Sequence, residues 1–541
     1  MKYKYPLLAA TLIALSTFAL YYPFIGNPLI FDDYNLFNGH HSIYDLALVP
    51  FNPYPRTFPL FTLGFVETIW KSLEINRLVS IGIHIANALL LGRLVFDLLR
   101  LVDRETPPTN TLLTATTLSL FFALHPVATY GAGYLAQRTI LLATFFGLWA
   151  FFFHLRSYRR QAVSDQITAA LFYSLAVFSK EHAIMLPIAI ALSTFLQTAP
   201  RHQKLLKTGL FLGLSSCTSI YILLCLKGLI GAYEPAGASS AASLPELALT
   251  HSASGQWLLS AIGQAGLFFK YLIAWLIPNP GSMSIDMRVD FANNLSPIGI
   301  ILQLSAFLLL IGGACFLLSK RGLPALAGFG LLYTGTLYLT EFSTFRLQEP
   351  FVLYRSYIWA PGIVFSLAAA LGMLRLSTRV ASAMLLVPLL LFPLAIDRLK
   401  SMRSELSIWV DAAEKLTNPT LPGAERIFYN RGHQYLKQGK YAEALSDMQQ
   451  VVANHPESYE GYIGLANVHA AMNDPVQAAA DLDQAEKVTT ARTALGQIYF
   501  KRALLLLTQK QNLAAEEMLK QAIAYGHNGA KVLLEARFST R

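Results

Sequence analysis

Eleven apolar stretches, parted mostly by short polar loops, fill most of the first 397 residues: Tyr5–Phe24, Leu78–Leu99, Thr111–Leu124, Tyr134–Leu155, Ile167–Phe178, Ala183–Leu196, Leu206–Ile230, Ile298–Leu318, Leu323–Thr340, Tyr354–Leu374 and Val380–Ile396. Crossing a bilayer takes about 20 apolar residues in a helix, and in lipid the helix satisfies its own backbone. The pattern therefore predicts an all-α polytopic membrane bundle of about 11 spans. Three stretches fall short of about 17 residues and are expected to borrow flanking polar residues. Charged residues make up only 14% of the chain, against about 25% in soluble domains. Lys2 and Lys4 ahead of Tyr5–Tyr22 imitate a signal peptide, but no small-x-small site comes after them, so an uncleaved first span is expected.

Basic residues gather in alternate loops: Lys2/Lys4, Arg100/Arg104, Arg156/Arg159/Arg160, Arg201/Lys204/Lys207, Lys320/Arg321 and Arg375/Arg379. If these face the cytoplasm, the N-terminus is inside, and the loop from Asp32 to Leu73 and the C-terminal segment are outside. Trp257–Ile277 strains this scheme, since one more span would invert the orientation of every later one. It carries Gln264 and Lys270 and ends in Pro278-Asn279-Pro280-Gly281. An interfacial or re-entrant segment within an outer loop, about residues 231–297, is expected there. The basic excess thus reads as topology and not as a nucleic-acid surface. Cys217, Cys225 and Cys315 all lie in apolar stretches, and no metal-ligand spacing occurs.

From Arg398 onward the composition turns soluble, with 17 basic and 15 acidic residues. Leu399–Leu416 reads as a connecting helix and Thr417–Gly423 as a linker. Phe428, Gly432, Tyr435, Ala444 and Pro456 then fit the register of a tetratricopeptide repeat, a unit of about 34 residues. Ala466 and Ala503 repeat the small-residue position, the latter after a three-residue insertion. The domain reading is 1–397 for the membrane part, 398–423 for the connector and 424–541 for an α-solenoid of about three repeats. Near-neutral charge there predicts no strong electrostatic selection of partners.

The chemistry-bearing residues fall on the face drawn as outer. Asp32 and Asp33 come directly after the first span, and adjacent carboxylates repel and must stay solvated or find partners. The loop also holds Tyr34 and Arg56. His125 and Arg138 bracket the third and fourth spans, Lys180 and Glu181 join the fifth and sixth, and Asp286, Arg288, Arg346, Glu349, Arg355 and Tyr357 lie beyond. Guanidinium groups on a face that disfavours them suit a phosphate, whose oxygens they bracket. The plainer readings are that Lys180 pairs with Glu181, that Arg346 pairs with Glu349, and that His125 before Pro126 only stops a helix.

Asp32-Asp33, the run His125–Arg138 (HPVATYGAGYLAQR), the run Ser179–Pro187 (SKEHAIMLP) and the terminal repeats together resemble the GT-C class of polyprenyl-phosphate-sugar-dependent glycosyltransferases. Within it, the layout is similar to the transmembrane-and-tetratricopeptide O-mannosyltransferases and their bacterial relatives. Phe351–Tyr357 departs from that pattern. The resemblance implies an inverting transfer to a Ser or Thr hydroxyl of an exported, pilin-like or other protein at a bacterial inner membrane, with the repeats periplasmic. It implies Asp33 as base with Asp32 beside it, and Arg138, Arg355, Lys180 and His125 around the donor phosphate. Tyr34, Arg56, Glu181, Asp286, Arg288 and Tyr357 are candidate acceptor or donor contacts. The resemblance fixes no cofactor, and a divalent cation on Asp32 and Asp33 is the one candidate. Two other classes compete: a non-enzymatic envelope scaffold, and a transporter of lipid-linked sugars.

Overall fold

The computed structural model describes residues 4–38, 43–46, 49, 53–226, 253–289, 296–343, 349–421 and 423–538. Residues 231–252 and 290–295 of the outer loop 231–297, and Arg346, lie outside them. The described residues are helical apart from connections and one isolated bridge, Met287 to Phe351. Two compact units divide at Ser404: Met1–Ser404 and Glu405–Arg541.

The first unit contains α1 (Lys4–Tyr21), α2 (Asp33–Asn38), α3 (Thr57–Trp70), α4 (Leu73–Val102), α5 (Pro108–Ala123), α6 (Arg138–Arg160), α7 (Ser164–Ser179), α8 (Glu181–Leu196) and α9 (Arg201–Cys225). After these come α10 (Ala253–Leu276), α11 (Pro297–Leu318), α12 (Leu323–Phe342), α13 (Ala360–Met373) and α14 (Thr378–Ser401). Seven helices are long and apolar enough to cross a membrane: α1, α4, α6, α9, α11, α12 and α14. An eighth is available if α5 and the short helix after it, bent by 50° at His125-Pro126, count as one span. This is fewer than the eleven expected. The helices α7 and α8 have only 16 residues and α13 only 14. At 1.5 Å per residue they reach roughly 21–24 Å, short of a hydrocarbon core of about 30 Å.

The helix ends sort into two groups. At one, Arg93 and Arg159 both bind Asp97, Arg156 binds Asp165, and Arg375 binds Asp103 and Glu105. Three of the basic clusters read from the sequence, around Arg100, Arg156 and Arg375, meet here. The other end, hereafter the acid end, gathers the end of α1, both sides of the α7–α8 junction and the end of α12. The unit's chain also leaves there, since Asn27 donates to the Leu399 carbonyl and Arg398 to the Met283 carbonyl.

One unbroken helix of 24 residues, α10, covers the contested segment. Gln264 on it donates to the Pro350 carbonyl (2.9 Å) and accepts from the Tyr338 hydroxyl (2.8 Å). Eleven residues on, about 16 Å, the Trp275 indole donates to Ser356 (2.8 Å) and stacks on His125 (4.3 Å). Both sets of partners belong to the acid end, so α10 runs across that end of the bundle. The helix does not turn back along its length.

Where α12 and α13 cross, two glycines face each other. A Cβ at Gly330 would strike the Gly362 carbonyl and Ser366, and one at Gly362 would strike the Gly330 carbonyl. Small residues let membrane helices approach this closely. Gly330→Ala is expected to cost at least about 2 kcal/mol in thermal or denaturant unfolding of the full protein. Gly312→Ala, with nothing within 4 Å, is expected to be near neutral. Equal effects would contradict the close crossing.

The second unit opens with α15 (Glu405–Glu414), tied to the next helix by Gln434 donating to Glu405 (2.6 Å). The expected single connecting helix is thus broken at residues 402–404, because Arg398 is anchored inside the first unit. Three helix pairs come next: α16 (Ala424–Lys437) with α17 (Tyr441–Asn454), α18 (Tyr459–Ala471) with α19 (Pro475–Lys487), and α20 (Arg492–Thr508) with α21 (Asn512–Ala524). The closing helix is α22 (Asn528–Phe538). Gly432, Ala466 and Ala503 are buried at the close approach within each pair. A Cβ on Gly432 would already press on Asp447 and Met448 at 3.0 Å.

Candidate functional site

After α1 the chain must reverse to enter α2, and Phe31 takes a left-handed backbone (φ 47°) to do so. That conformation is costly for a bulky residue, and such strain concentrates where a site fixes geometry. It presents Asp32 and Asp33 differently. Asp33 is fully buried: one carboxylate oxygen accepts from the Ala136 N–H (2.8 Å) and the other from the Ile30 N–H (3.4 Å). Burial pushes its carboxyl up to about 7, against the two N–H groups and the nearby Arg77, which favour the ion. Asp32 is half-buried. Its N–H donates to the Tyr134 hydroxyl (2.8 Å), and that hydroxyl bonds its side chain. The two acids implied as base and neighbour thus differ in setting. The Asp33 oxygens hold the loop to the turn before α6, whereas the Asp32 side chain, bonded to Tyr134, is the more exposed of the two.

Across from the pair runs a chain of buried charges. Arg56, also left-handed (φ 65°), donates its backbone N–H to the Phe178 carbonyl (2.7 Å) and grips Glu181 through both sides of its guanidinium, Nε at 2.8 Å. Burial would raise the Glu181 carboxyl, but Arg56, His182 and Lys180 together hold it well below the carboxylate range. His182 bridges Glu181 (3.3 Å) and Glu341 (3.6 Å). Glu341 in turn meets Arg355 (3.4 Å), which also binds the Glu349 carbonyl (3.1 Å).

Lys180 stands beside this chain. Arg56 has taken Glu181, so the Lys180–Glu181 pairing expected from adjacency does not form. Among the described residues the buried Lys180 ammonium has no hydrogen bond or ion pair; the Tyr354 ring lies 5.9 Å away. Burial pushes it down to about 7, helped by Arg56 and Arg355 and opposed by Glu181 and Asp32. This group of charges, with Asp32 near enough to act on Lys180, is assembled from distant segments of the chain.

The other candidates divide. Arg355 has no adjacent acid in sequence but is paired by Glu341 and Glu349, which weakens its reading as a phosphate ligand. Arg138 is fully buried against α4, donating to Ser80 (3.1 Å) and to the Asn76 carbonyl, and its Nη1 finds no partner among the described residues. His125 does not fit phosphate binding. Its Nδ1 accepts from the Val127 N–H (3.2 Å) and its Nε2 donates to the Trp275 carbonyl (3.0 Å), so the ring caps a helix and pins α10. Tyr357 likewise is no substrate contact, because His84 (2.7 Å) and Asn87 (3.2 Å) use its hydroxyl inside the bundle. Asp286 and Arg288 pair with each other at 2.7 Å, both side chains buried. Tyr34 is exposed on α2.

A divalent cation does not fit the aspartate pair. Both Asp33 oxygens already accept backbone N–H groups, and among the described residues no cluster of three or more His, Cys, Asp or Glu side chains offers a ligand set. Sequence patterning did not single out Glu341, Tyr134 or Arg77, and it gave His182 no role of its own. Glu341 carried a signal, being an acid at the very end of the apolar stretch Leu323–Thr340, where an ionisable group needs a partner.

The tetratricopeptide repeat family matches residues 435–501, which lie within the second unit. No curated protein matches the chain. The repeats give the protein a protein-interaction module, carried by a chain with several helices able to cross a membrane.

Proposed function

We propose that this protein is a membrane glycosyltransferase of the GT-C kind, moving a sugar from a polyprenyl phosphate to a hydroxyl of an exported protein. The observation that carries the reading is the buried Lys180, which has no ion pair among the described residues, near the half-buried Asp32 at one end of the helical bundle. Asp32 takes the proton of the acceptor hydroxyl as its oxygen attacks the sugar C1. The bond from C1 to the phosphate oxygen breaks, and the electron pair leaves with the lipid phosphate. Lys180 meets the charge growing on that phosphate, where a fixed cation in a dry site is most effective. A carboxylate in reach of the hydroxyl supplies the base that a poor nucleophile needs. Asp33 and the chain from Arg56 to Arg355 hold the two groups in place.

The same reading takes the short helices α5, α7, α8 and α13 as crossings too, eleven in all, with α10 lying flat. An odd number returns the chain at residue 404 to the compartment of Asp32, which would put the repeats on the outer side with the acceptor. The Arg-rich end then faces the cytoplasm.

Two experiments test this. Single cysteines replacing Tyr54 and Lys510, with Cys217, Cys225 and Cys315 changed to serine, are expected to react with an impermeant maleimide from outside, and one replacing Arg160 is not. Labelling of the first two from opposite sides would overturn the arrangement. Purified protein in nanodiscs, given a radiolabelled polyprenyl-phosphate sugar and envelope proteins, is expected to transfer label. Transport of the lipid-linked sugar without transfer would replace this reading with the transporter.

A further inference from the structure

In the second unit α16 packs on α18 and α18 on α20, while α17 and α19 each pack on their own partner and on the next first helix. The three first helices therefore form one inner layer, the kind of surface that helical repeats use for binding. Basic groups from separate repeats come together on it. His433 and Lys437 lie one turn apart on α16, and Lys501 lies on α20. Burial holds His433 below the ordinary imidazole value, and Lys437 and Lys501 both add to that. His527, ahead of α22, is held down by burial and also by Lys501. Lys501 is half-buried and has no ion pair among the described residues.

Aromatic rings border the same surface. Tyr429 stacks in parallel with His433 (6.5 Å), and Phe500 stacks on His527 (4.3 Å). Two carboxylates approach it: Glu405, near Lys437 and bound by Gln434, and Glu460, beside Tyr429 and Tyr459. Other acids are paired elsewhere: Asp447 with Arg431, Asp481 with His469, Asp483 and Glu486 with Arg502, and Glu516 with Lys520. The near-neutral total of the unit thus covers an uneven placement of charge.

We propose that this inner surface binds an acidic peptide segment, with carboxylates answering Lys437 and Lys501 and neighbouring side chains resting on Tyr429 and Phe500. The repeats alone supply these groups, so such binding stands whether or not the first unit transfers sugar.

Fluorescence anisotropy on the full protein in nanodiscs tests it, with a labelled peptide of alternating Glu and Ser against the same peptide carrying Gln for Glu. The Glu peptide is expected to bind at least about tenfold more tightly at low salt, and the preference should shrink at roughly 0.5 M salt as the screening length falls. Lys437→Glu, an exposed position, is expected to remove most of the preference; Lys501→Gln should do the same without the charge reversal. Lys520→Ala should leave it unchanged. Equal affinity for the two peptides, no binding of the Glu peptide, or an unaltered preference in both lysine variants would overturn the proposal.

Discussion

Asp32→Asn is expected to lower sugar transfer by about 10²–10⁴ while leaving the unfolding temperature nearly unchanged. The amide keeps the shape of the carboxylate and a carbonyl oxygen for the Tyr134 hydroxyl, but it cannot take a proton. Asp33→Asn should show the opposite division. Its carboxylate accepts N–H groups from Ala136 and Ile30 on separate oxygens, and an amide can offer only one acceptor, leaving a buried donor facing a donor. The expected loss is about 1–3 kcal/mol, with transfer reduced in so far as the loop loosens. The pH dependence separates the two further. Folded Asp33 titrates near 7, above the unfolded value of about 3.9. Between those limits the folded state holds a proton that the unfolded state has lost. The stability due to this group is therefore full below about pH 4 and falls as pH rises to about 7. Melting curves at pH 5 and pH 8 should show the wild type losing more stability over that step than Asp33→Asn. Full transfer by Asp32→Asn, with Asp33→Asn inactive yet normally stable, would return the base to Asp33.

What the sequence could disclose depended on whether the signal was periodic or spatial. The repeats were legible because Gly432, Ala466 and Ala503 recur at nearly fixed spacing, and each occupies the close approach for which small residues were expected. The basic loops were legible because charge beside a long apolar run has few places to go. Counting spans was harder, since an apolar run of 14–16 residues does not show whether it crosses alone or leans on its neighbours. The candidate site was half legible. Arg56, Lys180 and Glu181 stood out as charges near span ends, but adjacency suggested pairing Lys180 with Glu181. The fold instead brings Arg56 across 125 positions to Glu181 and leaves Lys180 without an ion pair among the described residues. Adjacent aspartates looked equivalent for a similar reason. Their difference is made by the backbone of Ala136, about a hundred residues away, which no local pattern encodes. His125 and Tyr357 misled because a buried polar side chain and a ligand look alike until its partners are seen.

Lys180→Met is expected to move stability and activity in opposite directions. A buried ammonium without a counter-ion costs desolvation that no ion pair offsets, and a well-packed apolar replacement should stabilise the protein by about 1–4 kcal/mol. Transfer should nevertheless fall by about 10²–10³, the usual effect of losing one fixed group that meets transition-state charge. The folded amine titrates near 7, below its unfolded value of about 10.4, so the unfolded state binds the extra proton between those limits. Stability due to Lys180 is therefore lowest below about pH 7 and recovers as pH rises toward 10, a slope that Lys180→Met should lack. A donor phosphate beside the amine would favour its charged form. Binding of the polyprenyl-phosphate sugar near pH 8 should then take up close to one proton, read by calorimetry in buffers of different ionisation enthalpy. A variant that binds donor with the same proton uptake as the wild type would remove Lys180 from the phosphate. Lys180→Arg offers a second check, since a guanidinium stays charged at any working pH. It should keep part of the activity lost in Lys180→Met and lose the alkaline stability slope, because what the site needs is the cation and what the fold pays for is its burial.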